Sequence, residues 1–149
     1  MKLLSIAIPC YNSQDYMAHC IESLLPGGED VEILIVNDGS KDDTAKIADE
    51  YAAKYPTIVK AIHKENGGHG SAVNTGIENA TGIYFKVVDS DDWVKEDAYL
   101  AILEKQLLTD QFDVVEAIVL ATLLDHFRDQ VEDKGGMNPE AFAVTDASI

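Results

Sequence analysis

Three carboxylates crowd into four positions at Asp89-Ser90-Asp91-Asp92, directly after an apolar run at residues 83–88. Carboxylates that close repel one another, and such a cluster is tolerated when a hard divalent cation sits among its oxygens. Mn2+ or Mg2+ would keep coordination positions open for phosphate oxygens and so bridge these side chains to a diphosphate. The competing reading is a turn leading into a helix, where acidic residues suit both the cap and the dipole.

Three other polar segments follow apolar runs. Asn37-Asp38-Gly39-Ser40 ends the run 31–36. A carboxylate there can accept hydrogen bonds from a ribose hydroxyl or a base N–H. Ser40 with Asp43 has the spacing of a capping box, which assigns Asp38 to a ligand and Ser40 to a helix cap. Tyr11, after Pro9-Cys10, either stacks on a nucleobase or fills a loop as a half-buried aromatic. Asn66-Gly67-Gly68-His69-Gly70 can cradle phosphate through backbone N–H groups at a helix N-terminus. It lacks the Gly-Lys-Ser/Thr of a P-loop, and it is not GxGxxG. His69 either donates to a diphosphate or caps the loop, and Trp93 reads as a packing residue beside the acidic segment.

The elements that must position these groups alternate. Apolar runs at 3–8, 31–36, 58–62 and 83–88 read as buried strands. Between them, apolar residues at helical spacing run from Tyr16 to Leu25, Ala45 to Tyr55 and Ala72 to Ala80, with a further helix from Ala98 to Leu107. Asn12-Ser13 offers a cap to the first helix, and Pro26-Gly27-Gly28 stops it. Alternation of this kind gives an α/β fold with a mostly parallel sheet flanked by helices. Ligands of such sheets bind beyond the carboxyl ends of the strands, where all four polar segments fall. Val115 to Val131 keep helical spacing, although 114–120 could be a fifth strand, and the residues from Lys134 onward read as a polar, mobile tail.

Composition narrows the partners. The 149 residues carry 46% hydrophobic and 26% charged residues, as an ordinary globular domain does, with 11 basic against 27 acidic side chains and a formal net charge of -16. Such a chain repels nucleic acid and anionic membrane, and it repels an anionic nucleotide unless a metal or local donors intervene. Cys10 and Cys20 lack CxxC spacing and read as buried free thiols. With no signal peptide pattern and no apolar stretch long enough for a membrane span, a cytoplasmic location is expected.

The set Ile8-Pro9-Cys10-Tyr11-Asn12, Val36-Asn37-Asp38-Gly39-Ser40, Asn66-Gly67-Gly68 with Ala72, Asn74 and Gly76, and Asp89-Ser90-Asp91-Asp92 resembles the family 2 inverting glycosyltransferases, in order and spacing over roughly residues 3 to 105. The resemblance implies a GT-A (Rossmann-like) fold, a nucleotide-sugar donor such as a UDP-sugar, and a divalent metal, Mn2+ or Mg2+. It implies that Pro9, Tyr11 and Asp38 contact the nucleoside, with Asp89 or Asp91 near the ribose and Asp91 or Asp92 on the metal. Asn12, Gly67, Gly68, His69, Asn74 and Ser90 complete the expected nucleotide-binding set. Many relatives carry Arg before the asparagine of the third motif. Val73 stands here, so His69 or Lys64 would have to supply the positive contact.

The resemblance also sets the expected limits. Residues 1–112 would form the nucleotide-sugar-binding domain, and 113–149 a helical segment and tail of unclear role. The catalytic base is unassigned, since the acidic pair expected downstream is not evident and Asp125, Asp129 and Asp146 read as solvated surface. A donor half with a truncated sheet would expose apolar surface, which makes a homo-oligomer an expectation. The alternatives are a non-catalytic nucleotide-binding or assembly module that works beside a partner chain and, ranked low for want of a basic glycine-rich loop, a nucleotidyltransferase.

Overall fold

The computed structural model describes residues 2–107 and 143–144. Its centre is a sheet in the order β3-β2-β1-β4-β5. The strands β1 (Leu4–Cys10), β2 (Val31–Asp38), β3 (Val59–Lys64) and β4 (Tyr84–Val87) are parallel, and β5 (Ala143–Val144) lies antiparallel beside β4. The helices are α1 (Met17–Leu24), α2 (Thr44–Lys54), α3 (His69–Asn79) and α4 (Glu96–Leu107), and a 3-10 turn over Leu25–Asp30 joins α1 to β2. The expected α/β fold, with a mostly parallel sheet flanked by helices, is the fold observed.

β1 and β2 are buried along their whole length, which explains their nearly unbroken apolar runs. Leu4, Ile6 and Ile8 of β1 and Val31, Ile33 and Ile35 of β2 share one core with α1 residues Met17, Cys20 and Ile21 and α4 residues Tyr99, Ile102 and Leu103. The opposite sheet face takes α3. A Cβ on Gly76 would come within 2.6 Å of the Ala7 Cβ, so only glycine lets the helix lie this close to β1. Both thiols are buried and free, as expected.

The structure corrects four local expectations. The Ser40–Asp43 capping box does not form. Asp43 is the N-cap of α2 without a side-chain cap bond, Thr44 N–H donates instead to Asp42 Oδ1 at 3.0 Å, and the Ser40 hydroxyl receives Asn12 N–H at 2.9 Å. Likewise α1 has no side-chain cap at its N-cap Tyr16; the Ser13 carbonyl accepts from Tyr16 and Met17 N–H. β3 runs past Ile62 to Lys64, because an edge strand with one paired neighbour need not be apolar at its end. In the segment expected as a tail, Ala143 and Val144 pair with Phe85 and Tyr84. The helix or strand read between Val114 and Val131, and Asp125, Asp129 and Asp146, lie outside the described residues.

The end of the sheet remote from the polar loops holds a buried carboxylate, Glu32, at 1% exposure. It accepts from Ser5 Oγ (2.7 Å), Lys60 Nζ (2.7 Å), Thr81 N (2.9 Å) and Thr81 Oγ1 (2.9 Å), tying the α3–β4 connection to β1, β2 and β3. Burial pushes its carboxyl pKa up, but the bonds from Lys60, Ser5 and Thr81 outweigh burial and hold it below the ordinary value. Its contribution to stability is therefore present above the ordinary carboxyl range and lost as pH falls through the lowered folded value. Glu32→Ala strands these donors and should cost about 2–4 kcal/mol in urea unfolding at neutral pH. A loss that stayed constant from pH 7 down through the carboxyl range would contradict the ionised state assigned to Glu32.

Candidate functional site

Because β1 is central, with β2 and β4 on either side, the segments following β1, β2 and β4 emerge next to one another, and the one following β3 lies beside that of β2. The first two are stitched together. Asn12 N–H donates to Ser40 Oγ, Lys41 N–H to Asn12 Oδ1 (2.9 Å), Ser13 N–H to Thr44 Oγ1 (2.8 Å), Gln14 N–H to Asp42 Oδ2 (3.2 Å) and Asp43 N–H to Gln14 Oε1 (3.0 Å). Asn12 takes a left-handed φ of 49°, a conformation asparagine accepts more readily than most residues.

Asp38 closes β2 at 3% exposure. Its Oδ1 accepts from Lys64 Nζ (2.9 Å) and Gly67 N–H (2.8 Å), and its Oδ2 from Gly68 N–H (2.9 Å). Its carbonyl receives Asn66 Nδ2 at 3.0 Å. Burial raises the carboxyl pKa, yet the Lys64 ammonium and the two glycine N–H groups more than reverse this, so the group is held below the usual range and stays ionised at neutral pH. A carboxylate has about four lone-pair sites, so three internal bonds leave about one for a ligand. Gly39 permits this arrangement: at φ 68° its Cα passes so near the third loop that a Cβ would lie 2.6 Å from Asn66 N.

Between these loops lies a cavity of about 360 Å³, lined by Pro9, Cys10, Tyr11, Asp38, Asn66, Gly68, His69 and Ala72. Tyr11 is 48% exposed at its edge, free to cover a planar ligand. α3 begins at His69, with Ala72 N–H to Gly68 O at 3.1 Å, so the positive end of its dipole faces the cavity. The Cys10 thiol is no nucleophile. Burial lifts its pKa to about 12, only partly offset by the Ser13 and Ser90 hydroxyls.

Beyond His69 stand the acidic side chains. Asp89 is half-buried, Asp91 exposed and Asp92 buried, and one carboxylate oxygen from each lies within 4.8 Å of the others. An all-oxygen set at that spacing suits a hard dication such as Mn2+ or Mg2+. A tight turn, Asp92 N–H to Asp89 O at 2.9 Å, brings them together, and Cys20 Sγ contacts the Asp89 carbonyl at 3.5 Å. His69 Nε2 is 3.9 Å from Asp89 Oδ1 and links cavity to cluster. Trp93 packs edge-on against His19 with ring centroids 4.6 Å apart, a packing role as expected.

Of the residues singled out by sequence, Pro9, Tyr11, Asp38, Gly68 and His69 line the cavity, and Gly67 serves it through Asp38. Three others do not line it. Asn12 joins loops, Asn74 is exposed on α3, and Ser90 is buried with its hydroxyl 2.9 Å from Ser13 Oγ. Lys64, offered beside His69 as the positive contact to a diphosphate, donates to Asp38 and to the Glu65 carbonyl (2.6 Å) and is not among the residues lining the cavity. Sequence reasoning gave no site role to Cys10 and Ala72, which line the cavity, and had Asn66 only as part of the glycine-rich loop. It also missed the Asp38–Lys64 pair, which the ends of two adjacent parallel strands could have signalled.

The model described as glycosyl transferase family 2 matches residues 5–139, running past the boundary expected at 112. A glycosyltransferase of Bacillus subtilis (strain 168), EpsJ, itself uncharacterised, is 41% identical over 116 residues, covering 77% of this chain and 33% of that protein. The crystal structure of S. aureus TarS 1-349 in complex with UDP-GlcNAc superposes with a TM-score of 0.59 at 30% identity, covering 70% of this chain and 32% of that one. The mannosyltransferase PcManGT from Pyrobaculum calidifontis, in complex with GDP-Man and Mn2+, shares the fold with a TM-score of 0.61 at 19% identity over 72% of this chain and 32% of that one. The chain thus spans about a third of the length of these proteins. Among the described residues no helix is long and apolar enough to cross a membrane.

Asp38→Asn removes the charge opposite Lys64 and turns an NH2 toward one of the glycine N–H groups. It should cost about 2–4 kcal/mol in urea unfolding. Hydrogen exchange should quicken at Gly67 and Gly68 while the amides of β1 keep their protection. Unchanged exchange at both glycines would contradict the bonding described.

Proposed function

The chain belongs to glycosyl transferase family 2, and on that premise we propose that this domain holds a nucleoside diphosphate sugar, a UDP-sugar, with its base and ribose in the cavity and its diphosphate directed past His69 toward Asp89, Asp91 and Asp92. The carrying observation is that continuity: one cavity bounded by Tyr11 and Asp38, with His69 on its wall 3.9 Å from the nearest carboxylate of the cluster. Tyr11 stacks on the base. The remaining acceptor site of Asp38 takes a base N–H or a ribose hydroxyl. The N–H groups opening α3 face the diphosphate. TarS, at 30% identity, holds UDP-GlcNAc on the same fold, which supports a uridine donor.

Asp91 and Asp92, with Asp89 beside them, would hold a Mn2+ or Mg2+ ion, which supplies positive charge to the leaving diphosphate during inverting transfer. The protein's part is to hold those carboxylates converged and to keep Asp38 ionised.

Calorimetry of UDP with Mn2+ and with chelator tests this. The metal should tighten binding by about tenfold or more, and Asp91→Ala with Asp92→Ala should abolish the difference. Tyr11→Ala should weaken UDP by about 1–3 kcal/mol whether or not metal is present, from lost stacking. Equal UDP affinity in Mn2+ and in chelator would sink the proposed site.

A further inference from the structure

Ser13 has no place in the function proposed above, yet it joins the first loop of the site to the acidic segment. It is 1% exposed. Its backbone N–H donates to Thr44 Oγ1 at the start of α2, and its carbonyl receives the N–H groups of Tyr16 and Met17 at the start of α1. Its hydroxyl receives Tyr11 N–H at 3.2 Å, lies 3.4 Å from the Tyr11 carbonyl, and meets Ser90 Oγ at 2.9 Å across 77 residues of sequence. Ser90 stands between Asp89 and Asp91. The side chain that fixes the Tyr11 backbone is therefore also the one that touches the middle of the acidic segment.

A hydroxyl has one proton and two lone pairs. Ser13 fills one lone pair with Tyr11 N–H, and the Ser90 contact is satisfied whichever of the two hydroxyls donates. The bond is buried, so water does not readily replace it. It sets the separation between an aromatic ring at one end of the cavity and the carboxylates at the other. A rigid ligand that spans both ends gains from that separation being fixed in advance, since no ordering is left to be done on binding.

We propose that Ser13 is a positioning residue, whose hydroxyl, through Ser90, couples the nucleoside end of the site to the dication end. The inference rests on the function proposed above. It predicts that occupancy of one end strengthens binding at the other, reciprocally, and that the Ser13–Ser90 bond adds to the coupling that the dication's attraction to the diphosphate supplies.

Calorimetry of UDP with and without Mn2+, and of Mn2+ with and without UDP, tests it on the wild type, Ser13→Ala and Ser13→Thr, alongside thermal unfolding. In the wild type each ligand should tighten the other by a factor in the range of about 5–150 usual for coupled sites. Ser13→Ala also strands Tyr11 N–H, so it should weaken UDP in chelator as well as lower that factor severalfold, and Ser13→Thr, which keeps the hydroxyl, should restore both. Ser90→Ala, which leaves the bond from Tyr11 N–H to Ser13 Oγ in place, should cause the same loss of coupling with UDP affinity in chelator unchanged, and the double variant no further loss of coupling. Full coupling in a folded Ser13→Ala protein overturns the role given to Ser13 and leaves the proposed function standing. So does a parallel loss of UDP binding in chelator in Ser90→Ala, which marks general damage to the loops. Absence of coupling in the wild type itself overturns both.

Discussion

Taking the Asp38 carboxylate out of water is costly unless its oxygens find donors, and the donors it finds come from the loop that must be held. Lys64 reaches it from the end of β3, and the N–H groups of Gly67 and Gly68 follow directly along the chain. A loop with three glycines in five residues has little preference of its own. The buried charge gives it one. Satisfying Asp38 sets the wall of the cavity and the direction in which α3 leaves it, and hence where His69 stands relative to Asp89.

The same device appears at the other end of β2. Glu32 and Asp38 lie six residues apart on one face of the strand, each met by a lysine of β3, Lys60 and Lys64. The difference between them is how completely they are filled. Glu32 receives four bonds, is closed over by Thr81, and pins the chain. Asp38 receives three and borders a cavity. One carboxylate is spent on the fold and the other keeps an acceptor facing outward. Strand periodicity makes the pair, and the loops following β3 and α3 decide which end is open.

Much of this was legible in the sequence where the pattern is repetitive. Runs such as 31–36 need no tertiary information to be read as buried parallel strands, and four polar segments after four such runs imply one shared edge. What was not legible depends on which neighbour a side chain meets. Ser40 and Asp43 have the spacing of a capping box, but spacing cannot reveal that Asn12 N–H competes for the Ser40 hydroxyl from another loop. Ser90 resembles a ligand residue by its place between two aspartates, and only folding turns it inward to Ser13. Lys64 reads as a spare cation until strand register sets it against Asp38. The reading failed where a local motif had a non-local competitor, and it held where the signal was the periodicity itself.

The charge of the chain makes the remaining argument. A diphosphate approaching a protein of net charge -16 needs positive potential close at hand. Among the described residues, His69 lines the cavity and Lys64 stands behind Asp38. Lys64 is held by Asp38 and the Glu65 carbonyl, so its charge is largely balanced by a buried anion. His69 Nε2 lies 3.9 Å from Asp89 Oδ1 and carries charge only when protonated. The backbone N–H groups opening α3 add partial charge, equivalent to about half an elementary charge at most. On the proposed reading that sum falls short of what a diphosphate carries. On that same reading the balance arrives with a dication, which Asp89, Asp91 and Asp92, converged within 4.8 Å, would recruit. On the proposed reading, the excess acid that repels a bare nucleotide would at this one place make it bindable.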